Sequence, residues 1–76
     1  MQKTIASPKY ANLIGWLKQA REDQSLSMRD LAIRLDEPHS FVQKVECMER
    51  RLDVFEYCLY CKALDLEPAE GLKLLR

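Results

Sequence analysis

Glycine is nearly missing from this sequence. There are two in 76 residues, with three prolines. So few breakers predict long helices joined by short connections, and they exclude a glycine-rich loop that cradles phosphate. Histidine occurs once and no nucleophile stands out to partner it, so no catalytic set emerges and no enzyme is expected. No apolar run approaches the ~20 residues that cross a bilayer, and no signal-peptide pattern is read. A cytoplasmic protein without membrane contact is the expectation. The three cysteines are odd in number and unevenly spaced, which gives no sign of a disulfide framework and predicts reduced thiols. An excess of one charge is missing as well: 12 basic and 12 acidic residues cancel. Net charge therefore gives no attraction to phosphate, and any such contact depends on basic residues sharing one face.

What is present argues for one ordered domain. Hydrophobic residues make up 47% and charged residues 32%, too apolar for disorder. A chain this short builds one modest core, and an oligomer interface often adds to it. Residues 1–7 read as a flexible arm, and 8–76 as the folded domain. Ser7 and Pro8 start a first helix running to about Asp23, with Tyr10, Leu13, Ile14, Leu17 and Ala20 at helical period and Trp16 bordering them. After a loop from Cys47 to Leu52, Asp53 caps a fourth helix, Val54 to Leu64. Its inward face is read as Val54, Tyr57, Cys58, Cys61 and Leu64. Pro68 opens a last helix with Leu72 and Leu75 as its apolar residues. No repeat, low-complexity tract or strand-like alternation interrupts this, so the class is all-α, about five helices on one core.

The stretch from 27 to 46 organises the rest. Ser27 can cap a short helix, with Asp30 where a capping-box acid belongs. Leu31, Ala32 and Leu35 share one face. Asp36, Glu37 and Pro38 break the helix, and a second one carries Phe41, Val42 and Val45 as apolar residues. His39, Ser40, Gln43 and Lys44 fall mostly off that face, giving it the hydrogen-bonding surface a DNA major groove accepts.

Counted from Met28, the apolar positions Leu31, Ala32, Leu35, Val42 and Val45 resemble the helix-turn-helix of the phage repressor and Cro-like family, the xenobiotic-response-element type of bacterial regulators. The pattern continues through Glu46, Arg50 to Val54, Ala63 to Leu66 and Pro68, so the resemblance covers roughly residues 13 to 68. Two positions depart from it: Asp36 and Met48 stand where glycine is usual. The resemblance implies a compact five-helix, lambda-repressor-like domain without a cofactor. It would bind double-stranded DNA as a homodimer on a palindromic operator and regulate transcription, as a repressor. Met28, through its backbone amide, and Arg29 would meet phosphate at a helix start. Arg50 and Arg51 would grip the neighbouring backbone, and His39, Ser40, Gln43 and Lys44 would reach bases. Arg21 and Glu46 would form a structural ion pair fixing the angle between helices.

Each assignment has a plainer alternative. The arginines could be solvated charges paired with Glu49 or Asp53, His39 a turn residue without a partner, and Arg21 and Glu46 unrelated surface charges. Glu37 and Glu49 put acid near the presumed contact surface. Cys58 and Cys61 have C-x-x-C spacing, yet inside a helical pattern they read as small core residues, so no metal is expected. Phe55 and Leu59 lie off the core stripe; with Leu72 and Leu75 they are the expected dimer interface, or else Phe55 and Leu59 pack on the last helix or the arm. A rival class is a protein-interaction module of the same fold, such as an antitoxin that masks a toxin partner. The neutral charge, Glu37 and Glu49 point that way.

Overall fold

A computed structural model describes residues 7–76. Residues 1–6 of the expected arm lie outside the described residues. Five helices follow in order: α1 Pro8–Asp23, α2 Met28–Leu35, α3 His39–Glu46, α4 Val54–Ala63 and α5 Pro68–Leu72. A single 3-10 turn, Lys73–Leu75, continues α5. Among the described residues there is no strand, and no helix is long and apolar enough to cross a membrane.

The helix starts are set locally. Ser27 and Asp30 cap α2 reciprocally: the Asp30 amide donates to the Ser27 hydroxyl at 3.0 Å, and the Ser27 amide to the Asp30 carboxylate at 2.9 Å. Asp53 and Glu56 repeat the arrangement at α4, at 2.7 and 3.0 Å. Each cap satisfies amides that a helix start leaves without partners, typically worth ~1 kcal/mol. By contrast, α3 begins after Pro38 with no side-chain cap.

The helix ends explain how a chain with so little glycine turns. Helices α1 to α4 all finish on a left-handed residue that is not glycine: Ser25 (φ 58°), Asp36 (57°), Met48 (65°) and Asp65 (59°). Each turn is closed by the same pair of backbone bonds. After α1, for instance, the Ser25 amide donates to the Glu22 carbonyl at 2.9 Å and the Leu26 amide to the Arg21 carbonyl at 3.1 Å. After α3, Met48 donates to Val45 at 3.1 Å and Glu49 to Lys44 at 2.8 Å. This is the Schellman closure, which satisfies the last carbonyls of a helix. A left-handed residue other than glycine costs ~1–2 kcal/mol, least for aspartate, so the turns are held by those bonds against a local preference.

The core gathers Tyr10, Leu13, Ile14 and Leu17 from α1, Leu31 and Ala32 from α2, and Val42 and Val45 from α3. Tyr57, Tyr60, Cys61 and Leu64 complete it. Burying each large aliphatic side chain stabilises by ~1.5–3 kcal/mol. The α4 face differs from the sequence reading. Val54 is 81% exposed and Cys58 is exposed, whereas Tyr60, left out of the expected face, is 1% exposed. The buried set Tyr57, Tyr60, Cys61 and Leu64 follows the i, i+3, i+4, i+7 rule, and the expected set was rotated toward one edge of it. The Tyr60 hydroxyl makes no hydrogen bond among the described residues.

Polar contacts lock the helices to one another. The Gln24 side chain donates to the Leu64 carbonyl at 2.7 Å, and Arg34 to the Ala63 carbonyl at 3.0 Å, so both cover the end of α4. The Tyr57 hydroxyl donates to the Pro68 carbonyl at 2.7 Å. Gly71 is buried where α5 meets α1 and α4, and a methyl group there would collide with the Tyr57 hydroxyl and the Trp16 ring.

Candidate nucleic-acid interface

Helices α2 and α3 pack together across the turn at Asp36, burying Leu31 and Ala32 of one and Val42 and Val45 of the other. Burial of these four turns the opposite face of α3 outward. Ser40, Gln43 and Lys44 are exposed there, while His39 is half-buried at the helix start. At the start of α2, Arg29 is exposed and Met28 half-buried. Arg29, Ala32, Ile33, Glu37 and His39 line a recess of about 190 Å³ between the two helices. Hydroxyl, amide and ammonium groups on one short helix can donate to and accept from base edges.

The angle of α3 is fixed from beneath. The Arg21 guanidinium donates to Glu46 through Nε at 2.7 Å and Nη2 at 3.0 Å, and to the Leu26 carbonyl through Nη1 at 2.7 Å. Both side chains are enclosed, at 9% and 3% exposure. The bond to Glu46 holds the Arg21 pKa above its ordinary value against the opposing effect of burial. A forked, enclosed pair of this kind sets one orientation for the end of α3 relative to α1.

The loop after α3 separates the two arginines. Arg50 forks onto Glu56 at 2.8 and 2.7 Å, and its guanidinium lies 4.8 Å from the centre of the Phe41 ring. Its acidic partner is neither Glu49 nor Asp53. The Asp53-x-x-Glu56 spacing of a capping box was the available signal for an ordered acid at 56. Arg51 lies over the Tyr10 ring at 4.9 Å and is exposed. Glu37 and Glu49 are both exposed. The sequence reading also passed over Ile33, which is 77% exposed on α2.

The four residues expected at a dimer interface are all exposed: Phe55 70%, Leu59 42%, Leu72 48% and Leu75 39%. They do not form one groove. Leu72 and Leu75 join Tyr10, Leu13, Val54 and Tyr57 around an apolar groove of about 250 Å³. Leu59 lines a separate depression with Arg34, Leu35, Lys62 and Ala63. The thiols are all free, with Cys61 buried and Cys47 and Cys58 exposed. Among the described residues no three metal-binding side chains group together.

No protein-family model matches the chain, and no curated protein does. Among solved structures it is similar to an "XRE-family like protein" from Pseudomonas syringae pv. tomato str. DC3000. The two are 40% identical, the match covers 93% of this chain and 88% of that one, and the TM-score is 0.85. With identity, coverage and structural similarity this high, the chain, whose α2 and α3 form a helix-turn-helix, belongs to the XRE, Cro-like family of helix-turn-helix proteins.

Proposed function

We propose that this domain is a cytoplasmic, sequence-specific DNA-binding regulator of the phage repressor type, acting as a homodimeric repressor on a palindromic operator. The observation that carries the reading is the outward face of α3. Ser40, Gln43 and Lys44 stand exposed on a helix whose angle is set by the enclosed Arg21–Glu46 pair. In this reading Gln43 pairs with adenine, Lys44 with guanine, and Ser40 and His39 contact neighbouring edges. Arg29 and the Met28 amide meet phosphate at the start of α2, and Arg51 meets the backbone beyond α3. Neutral overall charge is compatible with this if Arg29, Lys44 and Arg51 face the duplex together, since local rather than net charge meets phosphate. The dimer uses α4 and α5 through Phe55, Leu59, Leu72 and Leu75, which puts half-sites about one helical turn apart.

The test is selection of bound sites from a random duplex pool, followed by two variants. Lys44→Ala should change the preferred sequence, whereas Arg51→Ala should weaken binding to all duplexes and reduce the salt dependence. Equal loss on every sequence for both variants refutes the division of roles. A second reading, a protein-interaction module such as an antitoxin, is favoured by Val54 and Phe55, exposed at 81% and 70% at the mouth of α4. Failure to bind any duplex at low salt would select it.

A further inference from the structure

We infer that Arg50 is a positioning residue for α3, acting through Glu56 and Phe41 rather than by gripping DNA itself. The inference rests on the DNA-binding reading above and changes the role the sequence suggests for this arginine. Three elements meet at its guanidinium. The fork takes both carboxylate oxygens of Glu56 on α4, at 2.8 and 2.7 Å. The flat face covers Phe41 on α3, 4.8 Å from the ring centre. Nη1 also donates to the Arg51 carbonyl at 3.0 Å, closing the loop on itself. Glu56 in turn accepts from the Asp53 amide at 3.0 Å, so the acid that receives Arg50 is the one that caps α4.

This arrangement supplies what α3 lacks. The helix has no side-chain cap at its start, and Arg21–Glu46 holds only its last turn. Phe41 lies one turn earlier and is half-buried, its ring 6.5 Å from that of Tyr60. Arg50 covers Phe41 from the outside and ties it to the start of α4. Phe41 directly follows Ser40 and precedes Gln43 by two residues, so its seat determines where those side chains point. A guanidinium is needed because only a planar fork can chelate a carboxylate and stack on a ring at once; lysine does neither. Three of the five guanidinium N–H donors are taken up by Glu56 and the Arg51 carbonyl, which holds the side chain in the loop.

The two roles predict opposite signs for one substitution. Glu56→Gln removes an acid and loosens Arg50. If Arg50 contacts phosphate, the variant should bind the selected duplex as tightly as the unmodified protein or more tightly. If Arg50 positions α3, affinity should fall about twofold to fivefold, in proportion to the modest energy of a partly exposed forked pair. Arg50→Met should fall by a similar factor, and the double variant no further, since both act through one contact. The slope of log affinity against log salt should stay unchanged for Arg50→Met, whereas loss of a phosphate contact lowers it by ~0.9. Urea curves fix conditions in which every variant is folded, so a purely structural role would leave affinity unmoved. Tighter binding by Glu56→Gln, a reduced salt slope for Arg50→Met, or unchanged affinity in both overturns the inference while the DNA-binding reading stands. An unmodified protein that binds no duplex overturns both.

Discussion

Removing Arg21 should cost more than removing Arg21 and Glu46 together. In the native state Glu46 has a side chain only 3% exposed, and its two donors are the Nε and Nη2 of Arg21 at 2.7 and 3.0 Å. Arg21→Met leaves that carboxylate enclosed with no cation and also strips the Leu26 carbonyl of a 2.7 Å bond. Breaking an enclosed pair from one side costs ~3–5 kcal/mol, because the remaining charge keeps its desolvation penalty. Replacing both by apolar groups, Arg21→Met with Glu46→Leu, removes the penalty with the attraction and is often close to neutral. A domain of 76 residues has a total stability of about 4–11 kcal/mol. The single variant therefore loses a large part of its margin, and each kcal/mol lost lowers Tm by roughly 6 °C. Urea unfolding at pH 7, followed by circular dichroism for the four corners of the cycle, should give a coupling of ~2 kcal/mol or more. Additivity within ~0.5 kcal/mol would show that the pair does not act as a unit and would refute the reasoning.

Four further outcomes are expected. Leu59→Glu should dissociate the proposed dimer in sedimentation while the monomer stays helical; a variant that remains dimeric places the interface elsewhere. Tyr60→Phe should leave stability unchanged or raise it by up to ~1 kcal/mol, since it deletes a buried hydroxyl without a partner among the described residues; a loss above 1 kcal/mol would contradict this. Ser25→Gly should raise stability by ~0.5–1 kcal/mol, because Ser25 is exposed at φ 58° and glycine adopts that conformation freely; a lower urea midpoint would count against it. The Arg50 bond, followed by the Asp53 backbone bond, holds the Glu56 pKa below its ordinary value of 4.5. Its stabilisation is therefore complete above that value and lost as pH falls through the lowered one. Acid titration of stability below about pH 4.5 should be shallower for Glu56→Gln than for the unmodified protein, and equal slopes would show that the pair is not linked to folding.

How far the sequence could be read depended on the range of the interaction. Elements fixed by neighbours along the chain were legible: Pro8 at the start of α1, the Ser27–Asp30 box, and the break at Pro38. The Arg21–Glu46 contact, 25 residues apart, was suggested through family resemblance, since no local pattern encodes it. The rotation of α4 was misread because its apolar residues occur nearly all round the helix, leaving periodicity little contrast. Tyr60 and Cys58 then exchange places on the strength of packing alone. Arg50 resembled its neighbour Arg51 in sequence, and only the folded loop separates a fork on Glu56 from a side chain over Tyr10. Met48 departs from the usual glycine, yet the turn forms, because two backbone bonds close it regardless of the side chain.

Gly71 sets the gauge of the apolar groove. The wall formed by Leu72 and Leu75 hangs on α5, and α5 can approach Trp16 and Tyr57 only because residue 71 has no side chain. One added methyl would push that wall outward while leaving Ser40, Gln43 and Lys44 where they are. The groove wall on α5 and the outward face of α3 are therefore built from different helices. Substitutions around position 71 alter the width of the groove, and under the proposed DNA-binding reading substitutions on α3 alter what is recognised there.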